Sequence, residues 1–396
     1  MRVSLMYCKS IIYPNFIRRA NPAFSNLTMY LLRLSPLLLL LAATACKKTI
    51  ATETVDPVEQ TPTAPSSFQG LILDQSRQPI ADATVFCGGQ STTTDANGHF
   101  AISNVIVDTN AAVISVKKNG YLNGVRTLMA RANGRQYMQL TLTAKDLTTS
   151  FHASAVGNIG FTGVNVVFSP NQIYTPANQV YKGTVSVAVD FVVPSDADLP
   201  TRMAGDLRGI DNNGNEVGLI PYGQVGVDLL DTNHIALHPD AEHLVNVTIA
   251  IPGPYRTSAP AQIGLFYLDT ISGYWKQETL AYKQGSSYTG SIRNGTRWLF
   301  ATTYSQVTLD ANIFQESGLP VSNLLTTIAT KIDFTPTFSY TNTDGHFIGK
   351  VALNQPLILT LTDPCGKLVF QKEIGPYSAN TTIDILKTDN LTLCTP

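Results

Sequence analysis

The chain has little charge, little tryptophan and no long apolar run. Only 14% of its 396 residues are charged, and 27 Lys and Arg stand against 28 Asp and Glu, for a formal net charge of −1. A near-neutral chain without an obvious basic face is not expected to bind nucleic acid. The apolar stretch at residues 34–45 would span about 18 Å as a helix, well short of the roughly 30 Å hydrocarbon core of a bilayer.

The sequence also lacks the short motifs that carry most enzyme chemistry. It has no Cys-x-x-Cys pair, no His-Glu-x-x-His helix, no Gly-x-Ser-x-Gly elbow and no phosphate-binding loop in a fitting context. We therefore expect no catalytic residue, no cofactor and no metal. A hydrolase with two catalytic carboxylates stays open as an alternative, because such a pair has no fixed spacing in sequence.

A leucine run near the N-terminus ends at a cysteine. Leucines occupy residues 37–41, small residues follow, and Cys46 and Lys47 begin a polar stretch. The pattern resembles a bacterial lipoprotein signal, in which the cysteine thiol carries the lipid. It predicts a signal region at residues 1–45, with the true start at Met29, and a lipidated, flexible tether at residues 46–67. An ordinary secretory signal and a short core helix are the alternatives.

A lipid on Cys46 would make the membrane the first partner of the mature chain. Lys47 follows the cysteine where an Asp would retain an enteric lipoprotein at the inner membrane. By resemblance to that rule, we expect the cell envelope of a Gram-negative bacterium, at the outer membrane.

Beyond the tether, short runs of Val, Thr, Ile and Tyr alternate with turns of Gly, Pro, Asn and Asp. Residues 184–191 and 245–251 place apolar side chains at every second position, as half-buried strands do. These patterns predict an all-β fold of tandem antiparallel β-sandwiches of Ig or transthyretin type. We expect modules at residues 68–146, 147–304 and 305–396.

The first module is marked by turn residues and by one hairpin, whose bend at Gly98 requires a positive φ. It resembles the carboxypeptidase regulatory-like domain, and this resemblance implies a seven-stranded, non-catalytic sandwich of transthyretin type. The resemblance rests on Gly70, Asp74, Pro79, Ile80, Ala83, Val85, Thr94, Asp95, Gly98, Phe100, Gly120 and Tyr121.

The last module repeats the hairpin signal of the first. The tripeptide Gly-His-Phe follows a turn in both modules, starting at Gly98 and at Gly345. Two copies of one signal predict an internal repeat. We expect the two hairpins to occupy equivalent places in two similar sandwiches, with Phe100 and Phe347 buried.

The central module carries five short motifs, at residues 168–170, 181–183, 203–207, 225–229 and 273–275. On these motifs it resembles the sandwich domain of ankyrins, netrin receptors and cartilage intermediate layer proteins. Some relatives in that family cleave themselves at a His-Phe-Ser sequence. Residues 296–301 are Thr-Arg-Trp-Leu-Phe-Ala instead, so self-cleavage is not expected here.

Three of the five cysteines remain once Cys8, before the expected start, and the lipid site are set aside. Cys365 and Cys394 lie in the same module and can pair in an oxidising envelope, for a gain of roughly 3–4 kcal/mol. The alternative leaves Cys87, Cys365 and Cys394 as buried or idle thiols.

Two kinds of polar cluster are candidate metal sites. The turns at Asp95 and Asp211 bring oxygen atoms together as calcium loops do, but Asp, Asn and Gly are also what plain β-turns require. The second kind is a histidine- and carboxylate-rich cluster that could bind zinc. We interpret it as a solvated turn. That cluster contains His234, His238, Asp240, Glu242 and His243.

Aromatic residues of the central module are a candidate platform for sugars. We expect about half of them to point inward, and Trp275 and Trp298 to lie in the core, because large rings dominate sandwich cores. The platform would use Phe266, Tyr267, Tyr274, Trp275, Tyr282 and Tyr288.

These expectations favour a non-catalytic, lipid-anchored envelope protein that acts as a scaffold or binding module. Its partner would be an envelope protein or a glycan, contacted by loops at the ends of the sandwiches. The alternatives are a carbohydrate-binding accessory lipoprotein of a polymer-uptake system and an undetected hydrolase.

Overall fold

The computed structural model describes residues 62–147, 149–240, 243–293, 296–331 and 337–393. Nearly all regular structure in these residues is β-strand, joined by one α-helical turn, α1 (Leu199–Arg202), and one 3-10 turn (Gly253–Tyr255). The described segments contain no helix with the length and apolar character needed to cross a bilayer. The predicted all-β fold of antiparallel sandwiches is confirmed.

Residues 63–142 form the first sandwich. One sheet has the order β4-β1-β7, in which β1 runs antiparallel to β4 and parallel to β7, and the second has the order β3-β2-β5-β6. The strands are β1 (Thr63–Asp74), β2 (Thr84–Cys87), β3 (Gln90–Thr93), β4 (His99–Asp108), β5 (Ala112–Lys117), β6 (Gly124–Leu128) and β7 (Arg135–Leu142).

The first strand begins inside the segment predicted to be a tether. Thr63 pairs with Asp108 of β4, and Ser66 is only 1% exposed, so residues 63–67 belong to the sheet. Strand β7 joins β1 only from Ser67 onward. No strand pairs with β1 on this side at Pro65, although the carbonyl oxygen of Pro65 accepts a 2.7 Å hydrogen bond from the N–H of Asn133. A residue without a backbone N–H is tolerated at such a position.

Residues 149–304 form the central domain, a 13-stranded hydrogen-bonded network. The 15-residue strand β14 is central to this network, since it pairs with four other strands, β12, β13, β15 and β20. The strands are β8 (Thr149–His152), β9 (Gly157–Phe161), β10 (Val164–Phe168), β11 (Ile173–Tyr174), β12 (Thr184–Val192), β13 (Arg208–Ile210), β14 (Glu216–Leu230), β15 (Ala236–Pro239), β16 (Val245–Ala250), β17 (Gln262–Leu268), β18 (Trp275–Gln284), β19 (Ser287–Ile292) and β20 (Arg297–Tyr304).

Residues 306–388 form the last sandwich. Its sheets have the orders β24-β21-β27 and β23-β22-β25-β26, and β21 again runs antiparallel to one neighbour and parallel to the other. The strands are β21 (Gln306–Gln315), β22 (Leu325–Thr330), β23 (Thr337–Tyr340), β24 (His346–Ala352), β25 (Leu357–Thr362), β26 (Leu368–Ile374) and β27 (Thr381–Thr388).

The first and last sandwiches share one topology, strand for strand, in the described residues. Gly98 and Gly345 each precede the fourth strand with a φ of 76°. Phe100 and Phe347, two residues after these glycines, are 4% and 1% exposed. The predicted equivalence of the two hairpins is confirmed, and so is the burial of both rings. Seven strands in two sheets is also the architecture that the first module's family resemblance implies.

Four apolar clusters hold this structure together. Three are the cores of the first sandwich, the central domain and the last sandwich. The fourth joins Val125 of the first sandwich to Phe266 and Trp275 of the central domain, with Phe338 of the last sandwich packed against it. The modules therefore share buried surface, which explains why the described residues belong to a single compact unit.

Candidate functional site

The place where the three modules meet, which we call the junction, is built on strand β6. The N–H of Gly205 donates a 2.9 Å hydrogen bond to the carbonyl oxygen of Val125, and Arg126 forms a parallel bridge with Gly205. Strand β6 thus continues its backbone pairing from the first sandwich into the central domain. Its residues 125–128 are all buried, because one face covers the sandwich core and the other covers the central domain.

The side chain of Arg126, in the first sandwich, contacts both other modules. Its guanidinium donates to the carbonyl oxygens of Pro200 at 2.7 Å and Thr201 at 3.1 Å, and lies 5.6 Å from the ring centre of Phe338. The residue is 4% exposed, and burial lowers the pKa of its guanidinium to about 10. Carbonyl dipoles and an aromatic face therefore hold this buried cation, and the charge of Asp206 also favours it.

Further polar and aromatic contacts close the junction around Arg126. They link the first sandwich to the central domain and the two sandwiches to each other, so the modules are held in one arrangement. The contacts are Thr127 Oγ1 to Gly273 O at 2.7 Å, Arg297 Nη2 to Asn123 O at 3.1 Å, Lys145 Nζ to Asp228 Oδ2 at 3.1 Å, Arg77 Nη2 to Pro364 O at 2.9 Å, and the edge-to-face rings of Tyr137 and Tyr340 at 5.3 Å.

A small cavity of mixed polar and apolar lining lies beside the junction, between Arg208 and Gln306. Arg208 Nε contacts Asp206 Oδ2 at 2.6 Å, and its guanidinium lies 5.1 Å from the ring centre of Tyr274. Burial raises the pKa of Asp206, and the neighbouring Arg208 opposes that rise. The cavity holds about 30 Å³, which suits one or two water molecules and is too small for a sugar ring.

A larger opening, the basic groove, runs between the first sandwich and the central domain. It encloses about 810 Å³, within the range of roughly 300–1,000 Å³ typical of small-molecule sites. Its described lining has three lysines and a single carboxylate, Asp82. The lining residues are Asp82, Thr84, Lys117, Lys118, Asn119, Gly120, Asn123, Lys145, Leu147, Leu230 and His234.

Two of the three histidines of the predicted turn, His238 and His243, contact neighbouring groups of the chain, and the third, His234, lines the basic groove. Both ring nitrogens of His238 face backbone carbonyl oxygens, of Pro239 at 2.9 Å and of Thr175 at 3.0 Å. His243 Nδ1 pairs with a carboxylate oxygen of Asp240, and Glu242 lies outside the described residues. Across the described ranges, no group of three or more His, Cys, Asp and Glu is placed to hold a metal ion.

In the two candidate calcium turns, the aspartate carboxylates accept hydrogen bonds from the backbone of their own turn. Asp95 Oδ1 accepts the N–H groups of Asn97 and His99 at 2.9 and 2.8 Å, and Asp211 Oδ1 does the same for the second and fourth residues after it. These hydrogen bonds lower the pKa of Asp211. Four further turns bind their backbone in this way, at Asp74, Asp231, Asn342 and Asp363. The pattern is turn chemistry of this fold.

Three of the six rings of the candidate aromatic platform, Phe266, Trp275 and Tyr288, are buried, which confirms that about half of them point inward. Trp275 and Trp298 are fully buried, as expected, and so are Phe266 and Tyr288. Trp275 Nε1 donates to the carbonyl oxygen of Asp206 at 2.9 Å. Tyr267 and Tyr274 are half-buried, and Tyr282 is the one exposed ring of the six, at 53%, so the six rings do not form one stacking surface for a sugar chain.

The cysteine predictions fall partly outside the described residues. Cys46 and Cys394 both lie there, so lipidation and the Cys365–Cys394 pairing stay predictions. Cys365 itself is disulfide-bonded. Cys87 is a free thiol, 2% exposed, and its burial raises its pKa to about 12, so it is an inert core residue.

Sequence reasoning missed both Arg126 and the basic groove. Arg126 had no local signal, because its partners are 74 or more positions away along the chain. The groove had a faint one, since Lys117 and Lys118 are adjacent cations in a chain with only 14% charged residues.

No family model matches the chain, and no curated protein sequence matches it. Among solved structures it is similar to 3-chlorocatechol 1,2-dioxygenase of Rhodococcus opacus 1CP (14% identity, 20% of this chain and 60% of that one, TM-score 0.16). It is also similar to the major pilin subunit BcpA of Bacillus cereus (7% identity, 84% and 100% covered, TM-score 0.17). A third is a Bacteroides uniformis ATCC 8492 protein provisionally assigned to carbohydrate binding (9% identity, 61% and 97% covered, TM-score 0.17). TM-scores this low carry no argument about function.

Proposed function

We propose that this chain is a lipid-anchored envelope protein that acts without catalysis, as a scaffold or binding module. The observation that carries the proposal is the junction: three sandwiches share buried surface around Arg126. A binding surface that spans several modules gains from such fixed geometry, because less freedom is lost when the partner binds. The signal pattern ending at Cys46 supports the envelope location.

The distribution of carboxylates disfavours the hydrolase alternative. Glycoside hydrolysis needs two carboxyl groups facing one another across the scissile bond. Asp82 is the single acid among the described residues that line the basic groove. Asp206, at the smaller cavity, is committed to Arg208. Neither opening presents the required pair.

The second candidate function, a carbohydrate-binding accessory of a polymer-uptake system, is favoured by the basic groove. This opening has the size of a ligand site, and amide and ammonium groups line it. Carbohydrate hydroxyl groups are bound through such donors and acceptors.

The test expresses three full-length proteins in separate cultures: the wild type, a Cys46→Ser variant and a Lys48→Ser control. The control keeps the thiol in the same segment. Wild type and control should incorporate a labelled fatty acid and sediment with membranes, whereas Cys46→Ser should not. Equal membrane association of all three proteins would refute the lipid anchor. Purified wild type should release no product from glycans or esters, and turnover that depends on the protein would refute a non-catalytic role.

A further inference from the structure

We propose that the basic groove binds an anionic glycan, a polysaccharide whose sugars carry carboxylate, sulfate or phosphate groups. This inference rests on the proposed binding role and names its ligand class. The groove lies between two rigidly joined modules, so a bound chain would contact the first sandwich on one side and the central domain on the other.

Charge is the first argument. Of the three groove lysines, Lys145 is already paired with Asp228 at 3.1 Å. Lys117 and Lys118 form no ion pair with any described residue, and Lys117 Nζ is held 5.5 Å from the ring centre of Phe86. Two adjacent cations without a protein counter-ion, in a chain whose net charge is −1, point to an acidic ligand.

The uncharged part of the lining is the second argument. Asn119, Asn123 and Thr84 supply amide and hydroxyl groups that can both donate and accept hydrogen bonds. Gly120 leaves open space, since a side chain there would meet nothing within 4 Å. The described lining has no Phe, Tyr or Trp, so neutral sugars would find none of the large rings on which they usually stack. A hydroxyl-rich, charged chain suits the groove better than a neutral glycan or an apolar peptide.

Rigidity is the third argument. The N–H of Lys145 donates to Gly120 O at 2.8 Å, and the N–H of Leu122 donates to Thr143 O at 2.9 Å. Arg297 Nη2 of the central domain donates to Asn123 O at 3.1 Å. Both walls are therefore fixed to one another before a ligand arrives, which lowers the entropic cost of binding.

The test measures binding of polygalacturonate, dextran sulfate and neutral dextran to the full-length protein in detergent at low ionic strength. The variant is Lys117→Glu with Lys118→Glu. Its matched control is Lys372→Glu with Lys387→Glu, which makes the same change in charge at exposed positions of β26 and β27. We expect the groove variant to lose roughly tenfold in affinity for the anionic polymers, and the control to stay near wild type.

Added salt should weaken wild-type binding, because a Debye length of about 10 Å at 0.1 M screens exposed charges. Lys117→Arg with Lys118→Arg should retain binding. If the Glu variant does not melt like wild type, Lys117→Gln with Lys118→Gln replaces it in the same comparison.

Equal affinity for neutral dextran, or equal losses in the groove variant and the control, would overturn the proposal. Retention on anionic lipid vesicles without binding to either anionic polymer would also overturn it and assign the groove to a membrane surface. None of these results would refute the lipid anchor or the absence of turnover, because the experiments described above test those two proposals separately. Cleavage of polygalacturonate would instead refute the non-catalytic role.

Discussion

Alanine at the two hairpin glycines should damage the first and last sandwiches in the same way. At Gly98 an added Cβ would lie 2.5 Å from the carbonyl oxygen of Ile72 and 3.1 Å from Pro79 Cβ. At Gly345 it would collide with the carbonyl oxygen of Ile313 and lie 3.2 Å from Pro320 Cβ. Both glycines also have a φ of 76°, which residues with a side chain adopt only at a cost.

Matched controls separate strain from collision. Gly89 and Gly318 also have positive φ values, 79° and 84°, but an added Cβ would meet nothing within 4 Å. Their Ala variants should therefore lose only the cost of left-handed backbone, about 1–2 kcal/mol. The hairpin variants add a collision with backbone, for which about 1–3 kcal/mol is typical. Gly98→Ala should thus exceed Gly89→Ala by about 1–3 kcal/mol in lost unfolding free energy, and Gly345→Ala should exceed Gly318→Ala by a similar amount.

Native-state hydrogen exchange on the full-length protein can assign each loss to its own sandwich, where a single melting curve would mix three modules. Amides of β1 and β4 should lose protection in Gly98→Ala, and amides of β21 and β24 in Gly345→Ala. If each hairpin variant matched its control within about 0.5 kcal/mol, the collision would have no energetic weight. The argument from the turn geometry would then be refuted.

Three further predictions concern the core, the acid stability and metals. Phe100→Ala and Phe347→Ala should each cost about 3–5 kcal/mol of unfolding free energy, measured by denaturant titration, and a loss under about 1 kcal/mol would contradict their burial. Burial acts to raise the pKa of Asp269, but bonds from Lys276, Ile271 N–H and Ser272 hold it at about 2. The ionised Asp269 therefore stabilises the folded protein at pH values above 3.8, its ordinary pKa, and this stabilisation is lost as the pH falls through about 2. In Asp269→Asn, the midpoint of urea unfolding should therefore fall less steeply with decreasing pH than in wild type. The melting temperature should not change when a chelator is added, and a drop reversed by zinc or calcium would show that a structural ion had been missed.

Local turn chemistry is the part of this structure that the sequence predicts well. The Gly-His-Phe tripeptides at Gly98 and Gly345 fix a bend, a register and a buried ring within a few residues. Each of these features depends on neighbours along the chain, so one sequence is enough to find them. The repeat follows, because two copies of the same local signal build the same seven-stranded topology.

The start of the first strand shows where composition misleads. Pro65, with its Thr- and Pro-rich surroundings, looks like an unpacked linker. Strand β4 nevertheless extends to Asp108 and pairs with β1 as far as Thr63. The pairing depends on a partner more than 40 positions away, since Thr63 faces Asp108, and no local pattern reports the length of that partner.

Arg126 shows why the junction could not be predicted. A charged residue in a strand normally marks the face that meets water, and the neighbouring Val125 would then face the core. In β6 both are buried, because the central domain covers the second face. The turn α1 supplies what a buried cation needs. The N–H of Met203 satisfies the carbonyl of Leu199, while the following two carbonyls lack helical partners and accept from Arg126. The charge is therefore satisfied by a helical turn 74 positions away along the chain, and only the assembled modules reveal it.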